Sequence, residues 1–162
     1  MSQSPTARAR LRVEIEQRFL PLLQDRGFTG PTKLNGNRVL HEFTRPTASG
    51  THELSIQFDK YQRPRAVINL AVVPLGGFER LEQVGGTLIQ GRATWRSRGV
   101  MTGSWFRADR PLWQRLLGRR STIEAEAVEA MISCLPEIDQ WWDAQQESQH
   151  IRVWSHTYTL PK

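Results

Sequence analysis

Residues 52–59, HELSIQFD, and residues 65–73, RAVINLAVV, decide the fold. In the first stretch Leu54, Ile56 and Phe58 alternate with Glu53, Ser55, Gln57 and Asp59. That period of two predicts a strand with one buried and one wet face. The second stretch is apolar at nearly every position (Ala66, Val67, Ile68, Leu70, Ala71, Val72). It predicts a central strand covered on both sides. The link at residues 61–64 is short enough only for an antiparallel hairpin.

Outward from this pair, residues 38–45 alternate, with Val39, His41 and Phe43 on one face, and predict a third strand joined through a turn at residues 46–50. Upstream, Leu11, Ile15, Phe19, Leu22 and Leu23 recur at helical spacing. Ser4-Pro5 predicts the start of that helix, Pro21 a kink or restart, and Gly27 its stop. Gly30-Pro31 and Asn35-Gly36 read as turns. Downstream, residues 78–90 predict a short helix weakened by Gly85-Gly86. Residues 92–101 predict a strand that pairs with residues 104–107, and residues 109–117 a loop and short helix.

Ser121 and Glu124 have capping-box spacing. The stripe Ile123, Ala127, Met131, Leu135, Ile138 and Trp142 then predicts a long helix that Pro136 breaks or kinks. Residues 151–160 predict an edge strand or a loose tail. The expectation is therefore one α+β domain over residues 1–162: a mostly antiparallel sheet of four to six strands packed against an N-terminal helix and a kinked C-terminal helix.

A chain of 162 residues is long enough to bury a core. No run of 18 apolar residues exists, and no apolar stretch follows the arginines of residues 1–12, so neither a membrane span nor a secretory signal is expected. The one cysteine, Cys134, excludes an internal disulfide and a multi-cysteine zinc site. A cytoplasmic location follows as the expectation. The net charge of +6 is unevenly spread. Residues 92–120 hold eight arginines against one acid, Asp109, while residues 121–150 hold seven acids and no lysine or arginine. Adjacent segments of opposite sign are expected to neutralise each other in the fold.

His41-Glu42 and His52-Glu53 each begin a zinc-hydrolase motif, but Arg45 and Ile56 stand where its second histidine belongs. Cys134 lies beside the apolar stripe of the second helix and reads as core. No serine sits in a Gly-x-Ser-x-Gly elbow, and the glycine pairs lack phosphate-loop or dinucleotide patterns. No cofactor or metal is expected. The least implausible polar set for an enzyme is His52, Glu53, Asp59 and Arg65. The constellation with a binding character is Arg92, Trp95, Arg96, Arg98, Trp105, Arg107 and Trp113. Tryptophan and arginine together anchor protein interfaces and also serve single-stranded nucleic acid binding. The bland alternative puts the tryptophans in the core and pairs the arginines with the acidic helix.

The order of Asp25-Arg26-Gly27-Phe28, residues 67–72, residues 92–99, Asp109-Arg110-Pro111-Leu112-Trp113 and Leu135-Pro136-Glu137-Ile138 resembles the bacterial family known as domain of unknown function 4304. The resemblance runs from the first helix to Trp142. That family tends to pair tryptophans after the aspartate, whereas here Trp113 stands alone and the pair Trp141-Trp142 comes later. The resemblance implies an α+β fold and brings no activity or catalytic residues. The absence of catalytic groups together with the arginine- and tryptophan-rich segment leads to the expectation of a non-enzymatic, cytoplasmic protein-binding domain. It would be an immunity- or antitoxin-like protein or one that assembles with another subunit, as small bacterial domains of this kind sometimes are. Nucleic-acid binding through residues 92–120 is the alternative.

Overall fold

A computed structural model describes residues 4–33, 40–95, 105–109, 116–117 and 123–160. Helix α1 (Ala7–Glu14) begins at Thr6, whose Oγ1 accepts from the Ala9 amide at 3.2 Å, rather than at Ser4-Pro5. It widens into a π-helical turn (Ile15–Phe19) before α2 (Leu20–Asp25). Pro21, in the first turn of α2, has no N–H to give the carbonyl four residues back, and such a gap favours a wider turn there. Gly27, at φ +81°, closes the segment: its amide reaches Gln24 O and the Phe28 amide reaches Leu23 O.

The strands are β1 (Thr29–Lys33), β2 (Leu40–Thr47), β3 (Gly50–Phe58), β4 (Arg65–Pro74), β5 (Gly86–Ala93), β6 (Phe106–Arg107) and β7 (Ile151–Tyr158). They form one antiparallel sheet in the order β1-β2-β3-β4-β5-β7, with β6 on β4. Three further helices stand among the described residues: α3 (Gly77–Val84), α4 (Ile123–Ser133) and α5 (Leu135–Ala144). The sheet is thus α+β in class, and the C-terminal helical segment bends by 33° where Pro136 opens α5.

Four local expectations change. Gly30-Pro31 lies inside β1, an edge strand, where a missing N–H faces no neighbour and proline is tolerated. The second and third strands run closer together than expected, leaving only Ala48 and Ser49 as the turn. Gly50 follows, and a Cβ there would meet Val73 O at 2.0 Å. Gly85-Gly86 ends α3 and opens β5 instead of weakening a longer helix. Residues 106–107 pair with Arg65 and Ala66 of β4, which project beyond the end of β5 at Ala93. Of the strand expected over residues 92–101, Arg92 and Ala93 end β5, and residues 96–101 lie outside the described residues.

The core lies between one face of the sheet and the helices α1, α2, α4 and α5. Phe43, Leu54, Ile56, Ala66, Ile68 and Leu70 meet Leu11, Ile15, Phe19, Leu23, Val128, Met131, Ile138 and Trp141 there. On the other face Leu81 of α3 packs on Ala71, Val73 and Leu88 at one end, and Val67 and Thr94 are buried at the other.

Candidate binding face of the sheet

Strand register lines up the side chains of this second face in rows. Glu42, Ser55, Asn69, Arg92 and Arg152 are successive partners across β2, β3, β4, β5 and β7. At about 4.8 Å per strand, this row spans roughly 19 Å. The next row runs Thr44, Glu53, Ala71, Gln90 and Trp154. Acids therefore occupy the β2–β3 end and two arginines the β5–β7 end, with amides and the small Ala71 between.

Asn69 is the hub. Its Nδ2 donates to Gln57 Oε1 at 3.2 Å and to Ser55 Oγ at 3.4 Å, and its Oδ1 accepts from Arg92 Nε at 2.7 Å. The Arg92 guanidinium also lies 5.5 Å from the centre of the Trp154 ring, within cation–π range. Trp154 Nε1 donates to Gln90 Oε1 at 3.0 Å, and the ring is 40% exposed. Burial pulls the Arg92 pKa below the ordinary arginine value, yet the group stays charged at neutral pH. At the far end, burial and the nearby Glu42 push the Glu53 carboxyl above its usual range. Perturbed titration and partly desolvated charge on a half-exposed surface mark a candidate functional site.

The arginine and tryptophan residues singled out in the sequence do not form one site. Arg92 belongs to the open face. Trp95, three residues on, is 48% exposed and lines a cavity against α4, on the helical side. Trp105 is half-buried at the start of β6. Arg107 Nε donates to Asp109 at 2.9 Å, and Arg65 Nη2 reaches the same carboxylate at 2.5 Å. Burial alone would raise the Asp109 carboxyl, but these hydrogen bonds outweigh it and hold it below its ordinary value. Arg96, Arg98 and Trp113 lie outside the described residues.

Of the basic segment expected to pair with the acidic helices, Arg92 and Arg107 are described and bond elsewhere, and its other arginines lie outside the described residues. Glu124, Glu129 and Asp139 accept from Arg10, Arg18 and Arg26 of the N-terminal helices, at 2.8, 2.5 and 3.0 Å. The N-terminal helical segment and α4–α5 are neighbours in space, whereas Arg92 and Arg107 point elsewhere.

Of His52, Glu53, Asp59 and Arg65, Asp59 and Arg65 lie together at the β3–β4 turn, where the Asp59 amide donates to Arg65 O at 3.1 Å, and the other two stand apart from them. His52 is on the core side, stacked 4.5 Å from Trp142 and hydrogen-bonded through Nδ1 to Arg45 Nη2 at 2.9 Å, while Glu53 is on the open face. Asp59 holds Arg63 at 3.0 Å beyond the end of β3. No group of three or more metal-ligating side chains gathers among the described residues. No helix among them is long and apolar enough to cross a membrane.

Sequence reasoning missed Asn69, Gln90, Arg152 and Trp154 as site residues. The phase of residues 65–73 put Asn69 opposite the core-facing Ile68 and Leu70, a signal that was present. The pairing of β5 with β7 across the intervening helices left no trace in local periodicity. No protein-family model, curated protein or solved structure matches the chain.

Proposed function

We propose that the protein is a non-catalytic recognition domain that binds another protein on the open face of its sheet, in the manner of an immunity protein or an assembly factor. The observation that carries this reading is the row Glu42–Ser55–Asn69–Arg92–Arg152, acidic at one end, basic at the other and tied through Asn69. A face polarised in this way suits a partner with a cationic patch set against an anionic one, because complementary charge fixes register and orientation. Trp154, stacked by Arg92, supplies an aromatic anchor of the kind that dominates interface energetics. The resemblance to domain of unknown function 4304 is compatible with this reading and adds no activity to it.

Nucleic acid fits the same face less well. Arg92 and Trp154 suit a base and a phosphate, but Glu42 and Glu53 on the same two rows repel a phosphate backbone.

Capture from host extract on immobilised wild-type protein and on an Arg92→Glu/Trp154→Ala variant tests the reading. A protein retained by the wild type and lost from the folded variant is expected. Retention that ignores the two substitutions contradicts it. So does tight binding of short DNA or RNA oligonucleotides that the same substitutions abolish.

A further inference from the structure

The two edges of the sheet differ in kind. β1, at one edge, carries Gly30-Pro31 and a register shift between Thr29 and Thr32. Proline and bulges are devices that keep an edge strand from pairing with another chain. β7, at the other edge, has neither. Ile151–Tyr158 pairs with Gly86–Ala93 in unbroken register and contains no proline or lysine. Among the described residues no strand lies beyond it.

One hydrogen bond fixes which way each backbone group of β7 points. The Thr94 amide donates to His150 O at 3.0 Å, so in this antiparallel pair the even-numbered residues turn N–H and C=O toward β5. Ile151, Val153, Ser155 and Thr157 turn theirs outward. Two outward groups are already used: Ile151 O accepts from the Ser148 amide at 3.0 Å, and the Val153 amide donates to Glu147 Oε1 at 3.4 Å. Val153 O and the backbone groups of Ser155 and Thr157 have no partner among the described residues. Ser155, His156 and Thr157 are exposed. On the open face Trp154, His156 and Tyr158 follow one another, and the last two rings meet edge-on at 4.7 Å.

We propose that a second copy of this chain pairs with this edge, β7 antiparallel to β7, about a two-fold axis that passes between His156 and its copy. An outward-turned residue can face only another outward-turned residue, so the axis stands perpendicular to the sheet and both sets of helices lie on one side. Centring on His156 matches the open groups. Ser155 N–H meets Thr157 O, Thr157 N–H meets Ser155 O, and Thr159 N–H meets Val153 O, each repeated by symmetry. The Ser148 and Glu147 contacts stay in place. Centring on Trp154 sets Ser155 against Val153, whose amide is taken, and Thr157 against Ile151, whose carbonyl is taken. On the open face the His156 register puts Trp154 against Tyr158 of the second copy, at positions where side chains approach most closely. Such aromatic cross-strand pairs stabilise antiparallel sheets. The edge is thus complementary to itself in donors, acceptors and rings, as a symmetric interface requires. This pairing goes beyond the recognition reading and does not rest on it.

Light scattering on the full chain at rising concentration tests the proposal, on the wild type and on Thr157→Pro and His156→Lys. Thr157→Pro removes an outward amide and no bond to β5, which an edge strand tolerates. His156→Lys sets two ammonium groups against each other at the axis, on an exposed position. The wild type is expected to form a dimer, and each substitution to weaken it at least tenfold. The register has its own readout. Mild oxidation of a His156→Cys variant should link the two copies through residue 156, whereas Ser155→Cys, which faces Thr157, should stay unlinked. Cys134, buried and with its thiol pushed up to about 12, adds no link of its own. A wild type that stays monomeric at every concentration, a dimer indifferent to both substitutions, or linking at 155 in place of 156 overturns the proposal. Should Thr157→Pro disturb folding, His156→Lys decides.

Discussion

Arg92 Nε and Asn69 Oδ1 lie 2.7 Å apart on adjacent strands of the open sheet face, and this hydrogen bond orients an arginine that also reaches Trp154. A side-chain amide in the middle of a sheet face is a costly residue unless it is bonded. Asn69 is bonded on both sides, to Ser55 and Gln57 on β3 and to Arg92 on β5. Replacing it by leucine should free Arg92 and cost about 1 kcal/mol. The checks are a lower urea midpoint and faster exchange of the Arg92 Nε–H by NMR.

Glu53 should destabilise the fold at neutral pH. Its folded-state pKa is raised by burial and by Glu42, so the folded chain holds the proton more tightly than the unfolded one. The stabilising contribution is present below the unfolded value near 4.5 and is lost as pH rises through the folded value. Glu53→Gln is therefore expected to raise Tm at pH 7. The gain should shrink as pH falls toward 4.5, in thermal melts taken across that range.

The two core-side histidines carry the opposite sign. Burial and then Arg12 lower the pKa of His41, and burial and then Arg45 lower that of His52. His41 Nε2 is also buried without a hydrogen-bond partner among the described residues. The unfolded chain binds these protons more readily, so stability is full above the ordinary value of 6.5 and falls as pH drops below it. Urea unfolding between pH 5 and pH 8 should show this slope. His41→Leu should reduce the slope, and a His41→Leu/His52→Gln pair should reduce it further.

Gly91 lies against the Trp141 indole, where a Cβ would stand 2.8 Å from Cε2. Trp141 is buried between the sheet and α5, with no open side into which to move. Gly91→Ala is expected to cost about 1–3 kcal/mol through overpacking. At roughly 2–4 °C per kcal/mol for a domain of this size, the fall in Tm is readily measured. An unchanged Tm would mean that the contact relaxes at no cost.

Much of this architecture was legible in the chain. Residues 52–59 and 65–73 announced their strands because alternation and apolar continuity are local signals. Pro136 announced the bend in the C-terminal helices by chemistry alone. β1 and the start of β5 were not legible, since Gly30-Pro31 and Gly85-Gly86 carry turn chemistry that edge position and sheet pairing override. The site was legible only in parts. Arg92 and Trp95 are three residues apart and read as one arginine-tryptophan cluster, yet the strand pleat and the end of β5 send them to opposite sides of the sheet. Arg152 and Trp154 reach Arg92 through a pairing some 60 residues distant in sequence, which only the tertiary fold creates.

That separation supplies the sharpest measurement. Hydroxyl-radical footprinting compares the free protein with its complex with the captured partner, reading oxidation at Trp154 and Trp95, which are 40% and 48% exposed. A protein bound on the open sheet face should protect Trp154 and leave Trp95 as reactive as in the free protein. Protection of Trp95 with Trp154 unchanged would contradict that assignment and move recognition to the helical side of the sheet.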